Sequence, residues 1–417
     1  MEGIRIVMPR QGKRSVLGTC AVWLLLSAPA MAQVATTNSL TLNAAMERAL
    51  VANATIAAAR LRGAIDLASL AVAQQRLNPA AAVEIAKETP KQAFVVAVPF
   101  ELGGKRAKRI AVGEATLRAG EAAIAATVAQ VRNDVRRAYY GVVVADSRLI
   151  LMNETRDLAA RVRDTARQRF EAGSAPRLEV MQAQLTLASA ENEATAAQGN
   201  AVAARAQMNA LLGQPLDTVT SLSTTADAGG PVTTAAAMVL AQTASTELLV
   251  LDREIEAQRA RIALAQALRV PDVIPSATLT HDAQPDFTYG WRAGVAVTLP
   301  LFTSYRAGVV VEQTTLDQLT AQRQATLVRI AGAVTAAAVT VQAQRQLYAR
   351  YRDDIIPQAQ QVEQLAQESY QLGQTGIAAL LQALQASRDV RLRSLDAVSL
   401  FQNALADLER AIGAPLP

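Results

Sequence analysis

Apolar side chains return in steps of four and three along the first half of the chain: Ile124, Val128, Val131, Val135, Ala138, Val142, Ala145, Leu149 and Met152. The second half repeats the pattern at Leu327, Ile330, Val334, Ala337, Val341, Gln344, Tyr348, Tyr351 and Ile355. A spacing averaging about 3.5 marks a coiled-coil seam rather than the wider stripe of a globular helix. No proline falls between Pro99 and Pro176, which leaves room for a helix of about seventy residues, or roughly 105 Å. A compact domain has no use for such a length. Pro357 lies inside the second long helix and should kink it there. Gly173 suits a left-handed helix end, and Pro176 suits the first turn of the next helix. In the second half Gly373 and Gly376 bracket Gln374-Thr375. Both turns are short, so each pair of helices is predicted to fold back as an antiparallel hairpin with a tip.

Between the helical patterns the period changes to two. Trp291, Ala293, Val295, Val297 and Leu299 alternate with Arg292, Gly294, Ala296 and Thr298, which reads as a strand with one apolar face. Ser276 to His281 alternates likewise and should pair with it across a polar loop near Asp282 to Asp286; Phe94 to Val98 and Ala82 to Lys87 are weaker counterparts. Five of the fifteen aromatics lie between Phe287 and Tyr305. Phe94, Phe100, Trp291, Phe302 and Tyr305 are the candidate residues for a lipid–water boundary, where aromatics at strand ends collect. The bland alternative is a small sheet packed on the helices. Four strands cannot close a barrel in lipid, because open edges leave backbone groups unpaired. If the strands enter a membrane, several copies must share one barrel, and three copies would supply about twelve strands.

The two halves follow one plan. Phe170-x-x-Gly173 recurs as Tyr370-x-x-Gly373, and Gly213-x-Pro215-Leu216 as Gly413-x-Pro415-Leu416. Pro99-Phe100 recurs as Pro300-Leu301, Arg106-Ala107 as Arg306-Ala307, and the run Asn53 to Pro79 has the length of Ser245 to Pro271. The chain is therefore a duplication: a first repeat over 33–217, a Ser/Thr/Gly-rich linker over 218–231 and a second repeat over 232–417. The fold class expected is mainly α with a small β part, each unit reading helix, strand pair, very long helix, turn, helix.

Composition narrows the class. Of 417 residues 51% are hydrophobic but only 4% aromatic, which suits long helices packed through small side chains better than a globular enzyme core. The net charge of +5 owes most of its excess to Arg5, Arg10, Lys13 and Arg14, and no basic stripe interleaved with aromatics points to nucleic acid. Those basic residues, the apolar run Val16 to Leu26 and Ala30-Met31-Ala32 read as an export signal over 1–32; the run is too short for a membrane helix. Cys20 sits early in that run and not at its end, unlike a lipidated cysteine, so the mature chain is expected to hold no cysteine. No later run reaches about eighteen continuous apolar residues.

With the duplication, the helix–strand–helix order and the Gly-x-Pro-Leu ends in place, the chain resembles the TolC-type outer-membrane efflux proteins of resistance–nodulation–division (RND) systems. Pro99-Phe100-Glu101-Leu102-Gly103-Gly104-Lys105-Arg106 looks like their heavy-metal (cobalt–zinc–cadmium) branch, and Pro300-Leu301-Phe302 fits it too. The resemblance implies a homotrimer whose long helices form an α-barrel in the periplasm and whose strands share a β-barrel in outer-membrane lipid. It implies as partners a periplasmic adaptor (membrane-fusion) protein and an inner-membrane RND pump. Hairpin tips at Phe170, Gly173, Ser174, Arg177, Tyr370, Gly373, Thr375 and Gly376 would dock the adaptor. Glu179, Gln182, Ala379 and Gln382 are candidate aperture-lining residues. Where some relatives carry acidic residues beyond the second tip, this chain has Ala379 and Gln382; Glu179 either supplies charge there or pairs with Arg177.

Other chemistry is thinly supplied. Gly103-Gly104-Lys105 is not a phosphate loop, since Arg106 stands where a Walker loop needs Ser or Thr; the diglycine reads as a bend, with Lys105, Arg106, Lys108 and Arg109 either near the membrane boundary or simply solvated. One histidine, His281, and no mature cysteine argue against a dedicated metal site, and Asp353-Asp354 point about 100° apart on a helix. No cofactor, no catalytic set and no enzyme activity is expected. Two readings stand: a passive export conduit, for divalent metals ahead of drugs, and a periplasmic coiled-coil structural or adaptor protein that never enters a membrane.

Overall fold

A computed structural model describes residues 39–223, 233–283, 285, 287–299 and 302–416. The export signal, the greater part of the linker and the Pro300-Leu301 pair lie outside the described residues. The unit Ser39–Pro417 is built twice from one plan. In the first half come α1 (Leu42–Ala52), α2 (Ala54–Gln74), β1 (Ala80–Ile85), β2 (Gln92–Ala97), α3 (Lys105–Glu171) and α4 (Arg177–Leu211). The second half runs α5 (Thr234–Ala244), α6 (Thr246–Ala267), β3 (Val273–Ala283), β4 (Phe287–Val297), α7 (Arg306–Arg350), a π turn (Tyr351–Ile355), α8 (Ile356–Gln371) and α9 (Ile377–Ile412). The long helix of 67 residues is matched by a run of 66 from Arg306 to Gln371.

Two differences from the sequence reading have local causes. The single helix expected ahead of each strand pair is two, broken at Asn53 and Ser245, whose side chains cap the second helix. Asn53 Oδ1 accepts from the Thr55 and Ile56 N–H groups while its Nδ2 donates to the Leu211 carbonyl at 2.8 Å, so one buried side chain serves two helix ends. The break attributed to Pro357 takes the form of the π turn just before it; proline lacks an N–H and collides with the carbonyl four residues back, at Asp353, inside that turn.

The seam residues behave as their spacing requires: none of those named in either half is exposed. Around them the core is richer than a two-helix seam, because α3 also packs on α1, α2, α6 and α9. Val131, Val135, Tyr139 and Val142 form one cluster with Ala45, Ala49 and Met208, and Ile330, Val334 and Val341 a second with Phe401, Leu405 and Leu408. The halves are joined by buried polar contacts, Arg136 to Glu409 at 2.7 Å and Asn133 to the Ala406 carbonyl. The opening residues of the linker are not loose. Leu40 exchanges backbone hydrogen bonds with Ser221 and Ser223, and the Tyr139 hydroxyl sits between the Leu40 and Ser223 carbonyls.

Thr234–Ala267 and Arg306–Gln371 each contain a stretch with a mean hydropathy of 1.4. Only 22% of each stretch is buried within the chain, although α6 packs on α3 and α7 on α9 and α6.

Candidate functional site

The four strands form one antiparallel sheet in the order β1-β2-β3-β4, so β1 and β4 are both edges. The register extends beyond β2 to a bridge between Phe100 and Val273. β3 and β4 have eleven residues each, about 36 Å of extended chain. Directly opposed residues share a face, and one row reads Val83, Phe94, Leu279, Trp291 across all four strands. All four are exposed, Trp291 at 80%. The neighbouring row on the other face reads Ala82, Val95, Thr278, Arg292. One face is thus large and apolar, the other small or polar, and the apolar face is left uncovered by the helices of its own chain. That removes the bland alternative of a sheet packed on the helices through its greasy side.

Phe94 and Trp291 fall in a row near the middle of the strands. Phe100, Phe302 and Tyr305 lie at the helical end, Phe302 fully exposed. Tyr305 begins α7 with φ of 54°, where Gly104 begins α3 with φ of 70°. A tyrosine in the left-handed region is strained, so the side chain at 305 is kept against a backbone preference for glycine. His281, on the apolar face, packs at a tilt against Tyr289 with ring centres 4.7 Å apart.

The Gly-Gly-Lys-Arg segment is a built corner. A Cβ on Gly103 would stand 2.9 Å from Val270, and its φ is 67°. Lys105 is buried and pairs with Asp272 at 2.8 Å, while Arg106 and Arg109 donate to the carbonyls of Ala73, Gln74 and Gln75 at the end of α2. Arg109 also pairs with Glu101. These cations close orphan carbonyls and complement the helix dipole. The solvated reading holds for Arg106 and Lys108, which are exposed, and not for the buried Lys105.

At the far end, both hairpins turn through the same cap. Ser174 N–H donates to the Arg169 carbonyl and Gln374 N–H to Ser369, with Gly173 at φ 70° and Gly373 at φ 72°. Ser174, Arg177 and Gly376 are exposed, Thr375 is half-buried, and Phe170 is 44% exposed. Tyr370, its counterpart in the second repeat, is 1% exposed. Its ring packs with Val162, Ala166 and Ala183 of the first hairpin. The Arg169 guanidinium lies 4.6 Å above it and donates to the Tyr370 carbonyl at 3.0 Å. Burial, then the charge of Glu179, pushes the phenol above its usual range. Gln182, Ala379 and Gln382 are exposed on α4 and α9, and Glu179 is half-buried. Glu179 accepts a hydrogen bond from Tyr370, not from Arg177. Sequence reasoning had missed Arg169, which nothing in the Phe-x-x-Gly pattern singles out.

Among the described residues no group of three or more His, Cys, Asp or Glu side chains is arranged to hold a metal ion. Asp353 is paired with Arg352 and Asp354 accepts from Gln358.

The sequence profile of the family described as outer membrane efflux protein matches residues 45–214 and again 238–414, one match per repeat. The chain is 23% identical over 380 residues to the cobalt-zinc-cadmium resistance protein CzcC of Cupriavidus metallidurans, covering 90% of each. It is 27% identical over 227 residues to the nickel-cobalt-cadmium resistance protein NccC of Alcaligenes xylosoxydans xylosoxydans, covering 52% of this chain and 48% of that one. Its fold is that of the CmeC outer membrane channel of Campylobacter jejuni, with a TM-score of 0.74 at 17% identity over 90% of this chain and 86% of that one.

Proposed function

The chain belongs to the outer membrane efflux protein family, and on that premise we propose that it is the outer-membrane conduit of a tripartite RND-type export system, carrying divalent heavy-metal cations from the periplasm to the outside. It is a channel and not an enzyme. One observation carries the membrane part: a four-stranded sheet with an uncovered apolar face and two free edges. In lipid each unpaired backbone group costs several kcal/mol, so the edges require the strands of other copies. Three copies, closing β4 of one against β1 of the next, give a barrel of about twelve strands with Trp291, Leu279 and Phe94 towards lipid.

The metal assignment is supported by the relatives CzcC and NccC, whose names are those of cobalt, zinc, cadmium and nickel resistance proteins. Among the described residues no ligands cluster, which fits a passive conduit whose ion choice belongs to the pump and adaptor. The matched caps at Gly173 and Gly373 support the tips as the adaptor-docking surface, and the bond from Tyr370 to Glu179 supports a role for Glu179 in holding the tips closed.

The test is a strain lacking this gene. It should become sensitive to cobalt, zinc and cadmium salts more than to dyes and detergents, with the protein in the outer-membrane fraction as an oligomer that heat dissociates. Greater sensitivity to dyes would reassign the cargo to drugs. A soluble monomer would remove the channel.

A further inference from the structure

About 6–30 Å from the tips by helical rise, α3 and α4 part from α8 and α9 around a cavity of about 580 Å³. That is the size of pocket that takes a small organic molecule. Its walls are mixed: Leu151, Leu158, Leu185, Leu381 and Leu384, from three helices, form an apolar patch beside polar and charged side chains. Its charges are unevenly satisfied. Each carboxylate is engaged by a guanidinium: Glu193 by Arg388 at 2.9 Å, Glu363 by Arg391 at 2.9 Å, and Glu154 by Arg391 at 3.5 Å. Glu363 also accepts from Ser387 at 2.5 Å. Donors are left over. The Nε–H groups of Arg388 and Arg391 are buried without a hydrogen-bond partner, and Arg161 lines the same cavity with no ion pair among the described residues. A buried donor without an acceptor is costly, and a guanidinium donor most favours an anionic one.

We propose that this cavity binds an amphiphilic organic anion, its apolar body among the leucines and its acidic group on Arg161 and the free donors of Arg388 and Arg391. The chemistry fits a fatty acid shed from the membrane and an anionic compound in transit equally. The ligand would touch both hairpins at once, so it fixes their separation. In that respect the site rests on the conduit reading and adds regulation to it; its occupancy does not depend on transport.

The experiment is a fluorescence titration of the intact oligomer in lipid nanodiscs with anilinonaphthalene sulfonate, with empty nanodiscs subtracted and cationic ethidium as the contrast. Saturable binding of the sulfonate at one site per chain is expected, with ethidium at least about tenfold weaker. Ser189→Phe fills an exposed part of the wall without touching a charge, and Arg161→Gln removes a cation that no carboxylate needs. Each should weaken the sulfonate about tenfold, while heat-dissociable oligomer on a gel shows that both variants assemble. Displacement by decanoate would place the natural ligand among fatty acids, and its failure among compact anions. Unchanged affinity in Ser189→Phe, or tighter binding of ethidium, overturns the proposal. Loss of conductance or of metal resistance would bear on the conduit alone.

Discussion

The Tyr370 hydroxyl donates to Glu179 Oε2 at 3.2 Å, joining the tips of the two hairpins across 191 positions of sequence. Arg169 completes the joint, with its guanidinium over the ring and on the Tyr370 carbonyl. A single such bond contributes about 1 kcal/mol net, somewhat more when one partner is charged. Tyr370→Phe removes only the donor, and Glu179→Gln only the charge. Each should raise the open probability of the reconstituted oligomer about five- to tenfold, read as single-channel conductance. An unchanged closed state in both variants would show that the tip is held by packing alone.

Alkali should act on the same joint. Burial and the Glu179 carboxylate raise the Tyr370 phenol above its ordinary value of 10.0, so its neutral form is favoured in the folded tip. The stabilisation is whole below that ordinary value and disappears as pH climbs through the raised one. Conductance is expected to increase in strongly alkaline buffer, and the increase to vanish in Tyr370→Phe.

The two faces of the sheet make opposite predictions for neighbouring residues. Leu279→Arg puts a charge on the apolar face, at a cost of about 2–4 kcal/mol in the middle of a bilayer. It should deplete the heat-dissociable oligomer from the outer-membrane fraction. Thr278→Glu, one residue away on the other face and directly opposite Arg292, should assemble as the parent does. Equal behaviour would remove the sheet from the membrane.

Much of this was legible in the chain and some was not, for physical reasons. Seams such as Val131–Val135–Val142 declare themselves because burial on a long helix has a fixed period. The β4 faces declare themselves because Trp291 and Arg292 differ so much in polarity. β1 was faint because half of its side chains are alanine, which suits either face. Tyr370 looked like a turn residue, since its partners Arg169 and Glu179 come from a hairpin placed beside it only in three dimensions. Gly103 read as a bend, yet what requires it is the contact with Val270. Leu222 lay in a stretch read as linker; its bridge to Leu40 has no signature in composition.

Two glycines should respond to alanine with opposite signs. A Cβ on Gly213, at φ 64°, would lie 2.5 Å from the Ala52 carbonyl oxygen, so Gly213→Ala should destabilise by well over about 1 kcal/mol. Gly199, inside α4, has nothing within 4 Å of that position. Gly199→Ala should stabilise by roughly 0.5–1 kcal/mol. Thermal dissociation of the purified oligomer measures both.

Duplication leaves the two tips unequal. Where the first repeat presents Arg169 and Glu179 to a tyrosine, the second has Ser369 and Ala379, and the aromatic it would receive from a neighbouring copy is Phe170. Within each chain the clasp is therefore one-sided, with a cation and a carboxylate on Tyr370 and no such pair at Ser369 and Ala379. Widening the passage by parting the two hairpins of one chain must therefore first release this single clasp, which nothing in the second tip duplicates.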